Sequence, residues 1–291
     1  EVRRMDVKNH NMNKEKPIMR KRLRIIAFLA FFFGIIMAVS QYFEFVSKTV
    51  YEESVSHLTE VFHQSDNMLG ELTHKNLMYL HMWSEYLQDA PSESKIRDYI
   101  DKAQKDAGFL YFYFLSADGN YKMTTGETGY LGLQENIEDE IQKGNDIITN
   151  AAVPGKSQML VFASPKAHGS YQGFKYDAIA IAYENADIVN VLDISAFNGK
   201  AKSYVLHPDG RVVIDHSLES WGNVYNFFGI LREHTDISEK EILEISKKFK
   251  EGHTGAMLLN LDEKDYYLVY EKSDIQDWVF LGLVQADIVN A

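Results

Sequence analysis

The sequence predicts an α+β fold: a long N-terminal helix followed by two tandem copies of one module, each an antiparallel sheet flanked by helices. Three observations carry that prediction. Apolar residues keep steps of three and four from Val46 to Leu87 with no intervening proline. Two strand-turn-strand patterns, FLYFYFLSADGNYKMTT from Phe109 and KSYVLHPDGRVVIDH from Lys202, place their Asp-Gly turns 91 positions apart. The pentapeptide ADIVN occurs at 186–190 and again at 286–290, each time closing a set of strands.

The elements follow in chain order. Residues 1–24 carry nine Lys and Arg against three acids and read as a cytoplasmic basic tail. Ile25 to Phe43 is a 19-residue stretch without a charge, close to the roughly 20 residues that a helix needs to cross a bilayer core. The transmembrane helix is therefore set at 25–46, with everything beyond it outside the cell. Ala38-Val39-Ser40 offers a signal-peptidase site, and cleavage there is the competing reading. The long basic leader and the helical period running past that site favour an uncleaved anchor. Residues 47–94 form the long helix, ended by Asp89-Ala90-Pro91-Ser92, where Pro91 and Ser92 are placed to cap the next helix, Glu93 to Lys105.

From Phe109 the period becomes strand-like, with Tyr111 and Tyr113 on one face and Phe112 and Phe114 on the other. A polar and helical stretch follows, then the strands MLVFASP and YDAIAIAYE, then ADIVN. The second hairpin is likewise followed by a helical stretch, by AMLLNL, DYYLVYE and WVFLGLV, and by ADIVN. The first module with its linker helix occupies 95–199 and the second 200–291. Asp187 and Asp287 are expected to cap the helices that leave each module. The end on QADIVNA reads as a cut made just before a further membrane span.

Composition excludes several functions. A net charge of -12 argues against nucleic acid as a partner. With no cysteine there is no disulfide framework, thiolate zinc site, cysteine nucleophile or lipidated N-terminal cysteine. GETGYLG, 126–132, lacks the Lys-Ser/Thr of a phosphate loop, and neither G-x-S-x-G nor H-E-x-x-H occurs. ENIEDE, 135–140, reads as a solvated helix. No catalytic residue is assigned. His207, Asp209, Asp215 and His216 cluster around the second hairpin, but Asp209 is needed by its turn and the alternation leaves the histidines' directions open, so no metal is assigned.

A basic stub, an anchor, a long helix and two hairpin modules with DGN and PDGRV turns resemble bacterial double Cache (PAS-like) extracytoplasmic sensor domains. Ser164-Pro165 after MLVFA looks like that family's strand ending in a small residue and Pro. YYLVYEKSDIQDWVFLGL, 266–283, resembles its closing strand pair with a Trp after an Asp turn. The resemblance covers residues 47–291. It implies that the membrane-distal module, about 95–185, binds a small extracellular molecule and that the membrane-proximal module passes the change onward. The family's amino-acid-binding subgroup carries an Arg and a Trp close together on the first module. Here the only Arg between 47 and 200 is Arg97, with no Trp nearby, so a bidentate carboxylate clamp is unsupported.

The candidate ligand residues are Tyr111, Tyr113 and Tyr121 as walls with hydroxyl tips, Phe162 and Ser164 as a floor with one donor, and Tyr176 with Asp177 as an acceptor for an amine or hydroxyl. The alternative for each is simply to fill a sheet core. Two functions stay open. One is the sensing domain of a transmembrane receptor, expected to be a homodimer and to need no cofactor. Its output would be a diguanylate cyclase, a phosphodiesterase, a histidine kinase or a chemoreceptor domain beyond this chain. The other is a membrane-tethered or secreted solute-binding protein without output.

Overall fold

The computed structural model describes the backbone of residues 2–89, 92–133, 136–152, 158–192, 200–216 and 226–289, and most side chains from residue 28 onward. It divides into two compact units, residues 1–54 and 55–289. Helix α1 (Val2–Asp89) is followed by α2 (Glu93–Ala107). In the first unit, α1 turns Phe28, Leu29, Phe31, Phe32 and Phe33 outward. Among the described residues this is the one helix long and apolar enough to cross a membrane. Ser92 Oγ accepts from the Lys95 amide at 3.5 Å to start α2, as its sequence predicts. Gly108, at φ +77°, ends α2 by donating its N–H to the Gln104 carbonyl.

The first module contains β1 (Tyr111–Leu115), β2 (Asn120–Lys122), β3 (Thr128–Tyr130), β4 (Gly132–Leu133), α3 (Glu138–Lys143), β5 (Ile147–Ala152), β6 (Met159–Ser164), β7 (Gly169–Tyr171), β8 (Phe174–Tyr176), β9 (Ala178–Glu184) and α4 (Asn185–Leu192). Its seven-stranded sheet runs β3-β2-β1-β9-β6-β5-β4, and β7-β8 is a separate ribbon. The second module contains β10 (Lys202–Leu206), β11 (Val212–His216), α5 (Phe227–His234), α6 (Glu239–Lys250), β12 (Gly255–Leu261), β13 (Lys264–Lys272), β14 (Val279–Gln285) and α7 (Ala286–Val289). Its sheet runs β11-β10-β14-β13-β12.

Two copies of one plan are visible in the register. Tyr113 of β1 pairs with Ala180 of β9, and Tyr204 of β10 pairs with Leu281 of β14. Leu115 pairs with Ala178, and Leu206 with Val279. The hairpins therefore align 91 residues apart but the central strands 101 apart. ADIVN, repeated at 100, is out of step by one: α4 opens at Asn185, before its copy, and α7 opens on Ala286 itself. Asp187 and Asp287 consequently lie in the first turns of these helices rather than at the caps expected of them. A carboxylate there still meets the positive end of the helix dipole.

Within the second unit, α1 lies along the back of both sheets. Trp83 packs against Phe109 and Phe112, and buried Asn76 accepts a hydrogen bond from the Tyr183 hydroxyl at 2.8 Å. Lower on the same helix, Phe62 stacks on Phe280 at 5.9 Å. Gly282 permits this approach, because a Cβ there would stand 2.6 Å from the Phe62 ring. The opposite face of the second sheet is filled by Tyr204, Phe227, Phe249, Leu268 and Leu281 beneath α5 and α6.

The modules also meet directly. The Asn150 and Gln158 side chains both donate to the Val212 carbonyl at 3.0 Å, and Asn185 exchanges two hydrogen bonds with the Asp215 backbone. Edge strand β11 thus has its open peptide groups taken by the first module's side chains, which blunts it against pairing with a foreign strand.

Candidate functional site

The face of the first sheet turned away from α1 is built from Tyr111, Tyr113 and Leu115 on β1, Tyr121 on β2, Val161 and Ala163 on β6, and Ala178, Ala180 and Ala182 on β9. Strict alternation produces it: each of these residues has a neighbour one position away, such as Phe112, Phe114, Ile179 or Ile181, that points to the other side. In the second module, Val279, Leu281 and Leu283 of β14 take the places of the three alanines, and Leu268 and Tyr270 those of Val161 and Ala163. The second copy thus carries larger side chains at the positions where the first has alanine and valine.

Three tyrosines stand over that alanine floor. The Tyr111 and Tyr113 rings stack with centroids 5.9 Å apart, and Tyr113 meets Tyr121 edge-on at 4.7 Å. Tyr121 lies across Gly129 of β3, where a Cβ would fall 2.7 Å from its hydroxyl. The Tyr113 hydroxyl is fully buried and has no hydrogen-bond partner among the described residues. Burial, and then the neighbouring tyrosines and Glu127, push its pKa far above the usual tyrosine value, so it stays a neutral donor. A buried hydroxyl left unpaired costs about 1–3 kcal/mol, a deficit that an acceptor on a bound molecule would remove. Thr149, also buried, occupies the same face of β5 opposite Val161.

Of the seven residues that the sequence singles out, the structure brings together Tyr111, Tyr113 and Tyr121. Phe162 and Ser164 are on the opposite face of β6, since Phe162 pairs with Ile181 and Ile181 with Phe112. Ser164 Oγ donates to Asp146 at 2.7 Å, and Asp146 in turn bonds His81 Nε2 of α1 at 2.7 Å. Tyr176 packs on Phe114 and crosses Gly169. Asp177 accepts from the Ala117 amide at 2.9 Å and steadies the first hairpin. These four therefore hold the back of the sheet and its turns. The alanine floor was missed in the sequence, although AIAIA at 178–182 displays it.

In the second module, His207, Asp209 and Asp215 make no group of three or more metal-ligating side chains with their neighbours among the described residues. The side chain of His216 lies outside those residues. The same module holds an open cavity of about 380 Å³ between the β10-β11 turn and the β13-β14 turn, with His207, Arg211, Lys250, Gln276, Asp277 and Trp278 among its lining residues.

No protein-family model matches the chain, and neither does any curated protein. Solved structures do. The ligand-binding domain of the Pseudomonas aeruginosa PAO1 amino acid chemoreceptor PctB, in complex with L-Arg, is similar at a TM-score of 0.58 and 15% identity, covering 82% of this chain and 98% of that one. The extracellular domain of mmHK1S-Z3, described as a histidine kinase, gives 0.57 at 13% identity over 84% and 97%. The sensory domain of the Campylobacter jejuni chemoreceptor Tlp3 gives 0.53 at 11% over 85% and 100%. The chain accordingly has the α+β fold of these sensory domains, a long helix carrying two sheet modules, in keeping with the double Cache resemblance of its sequence.

Proposed function

We propose that this chain is the extracytoplasmic sensing part of a transmembrane receptor, and that a small molecule seats on the alanine floor of the first module beneath Tyr111, Tyr113 and Tyr121. The observation that carries the reading is the buried Tyr113 hydroxyl, without a partner among the described residues, on a face where β9 has Ala178, Ala180 and Ala182 and the second copy has Val and Leu. The sensory folds named above support it, as does the apolar stretch of α1, which is long and apolar enough to cross a membrane; we place its basic end in the cytoplasm by the positive-inside rule.

The PctB and Tlp3 domains were solved with amino acids. Here Arg97 is exposed on α2, and Lys122 on the far face of β2 donates to the Gln172 carbonyl at 3.1 Å. The ligand is read by tyrosine hydroxyls and apolar contact rather than by a guanidinium clamp. Ligand contacts and α1 contacts alternate along β1, so a shift of Tyr113 moves Phe112 against Trp83. That displacement biases α1 between two packings in a homodimer, and the receptor's output reads the difference.

Thermal unfolding of the full chain in nanodiscs, screened against small metabolites, tests the reading. A ligand at a hundred times its Kd adds about 2.7 kcal/mol to stability and raises the midpoint by several degrees. Ala180→Leu, which copies the second module, is expected to fold and to lose that response. If every compound that stabilises the parent stabilises the variant equally, the assignment is overturned.

A further inference from the structure

The cavity between the two turns of the second module has no counterpart in the ligand face just described, and its chemistry is different. Its base is buried: Trp278 meets His207 edge-on at 6.1 Å, and burial, followed by the charge of Arg211, lowers the His207 pKa and keeps the ring neutral. Its mouth is charged. Arg211 holds Asp209 through Nε at 2.7 Å, which fixes the guanidinium in place. The Lys250 ammonium, the Asp277 carboxylate and the Gln276 amide make no hydrogen bond or ion pair among the described residues. The cavity thus offers one uncommitted cation, one uncommitted anion and one amide around a wall bearing an indole.

Both turns are held in place. Gly210 keeps φ +85° under the Phe228 ring. In the other turn, Gln276 holds φ +58°, a left-handed conformation that a non-glycine residue adopts only when its surroundings impose it. The Ser273 N–H donates to the Trp278 carbonyl at 2.8 Å. Asp66 of α1 accepts from the Ser273 hydroxyl and, at 2.9 Å, from the Asp274 amide. The turn that presents Gln276 and Asp277 is therefore tied to the long helix.

We infer that this cavity is a second ligand site, for a small zwitterion whose carboxylate meets Lys250 and Arg211 and whose ammonium meets Asp277. Its volume of about 380 Å³ accommodates a molecule the size of a free amino acid. A molecule bridging Lys250 on α6 and Asp277 on the β13-β14 turn pulls on the segment that Asp66 holds, so occupancy here reaches α1 without the first module.

The test is calorimetric titration of the full chain in nanodiscs with glycine and L-serine, and separately with acetate and methylammonium. It is done on an Ala180→Leu background, so that heat from the first module is removed. The zwitterions are expected to bind at least about tenfold more tightly than either half-ligand, since each charged hydrogen bond is worth a factor of that order. Lys250→Met and Asp277→Asn, both at exposed positions, should each weaken binding about tenfold with an unchanged unfolding midpoint, and Lys250→Arg should restore it. Absence of heat, acetate binding as tight as glycine, or full affinity in either variant would overturn the site. Heat present in the parent but lost on the Ala180→Leu background would assign the ligand to the first module instead.

Discussion

Gly210 and Gly144 both hold left-handed φ values, +85° and +75°, yet their surroundings differ. A Cβ on Gly144 would meet nothing within 4 Å, whereas on Gly210 it would stand 2.5 Å from the Phe228 ring. Gly144→Ala is expected to cost about 1 kcal/mol, the intrinsic left-handed penalty. Gly210→Ala should cost clearly more, because Phe228 must move; urea midpoints of the two variants check the order. Glu271 supplies a pH test. Burial, followed by the charges of Asp66 and Asp274, raises its pKa, although His63 opposes the shift, and its Oε2 is buried without a partner among the described residues. A carboxyl whose pKa is raised on folding stabilises the fold fully below its unfolded value near 4.5, and that stabilisation is lost as pH climbs through the folded value. Glu271→Gln should therefore raise the midpoint at pH 7 and give no gain at pH 4. A gain that persisted at pH 4 would mean that the residue acts through packing.

At the scale of elements, α1 is fastened to each sheet by a few polar contacts within apolar surface. Tyr183→Phe leaves Asn76 without its donor and is expected to cost about 1–3 kcal/mol, with the loss largest in alkali-free conditions where the hydroxyl is protonated. Its pKa, pushed up to about 12 by burial, means that the parent loses stability between pH 10 and 12. The variant should lose less, and an identical alkaline slope would show that other tyrosines set it. The strands β1, β2, β6, β9, β10, β11 and β12 to β14 were legible in the sequence because alternation and Asp-Gly turns specify them locally. IITNAA, read within a polar helical stretch, forms β5: its β-branched residues pair with β6, a contact that no local pattern announces. Strand parity was equally hidden. MLVFAS is buried at every position, so nothing in it told whether Phe162 or Val161 faced away from α1, and only pairing with β9 decides that.

For the molecule as a whole, duplication explains more than likeness of the two halves. One copy packs its face away from α1 with Leu, Tyr and Phe; the other keeps Ala at the same register, beneath Tyr111, Tyr113 and Tyr121. The resemblance read from the two turns carried the architecture, but not which side of the sheet carries the alanines, because that depends on a comparison between the copies. It also left out the cavity at Lys250 and Asp277, whose residues come from segments far apart in sequence. Hydrogen exchange of the full chain in nanodiscs, with and without a stabilising small molecule, tests the central claim most directly. Bound ligand should slow exchange in β1 and β9, residues 111–115 and 178–184, and in α1 around residues 76–87. No change in those strands while a ligand is bound would contradict a sensing face in the first module.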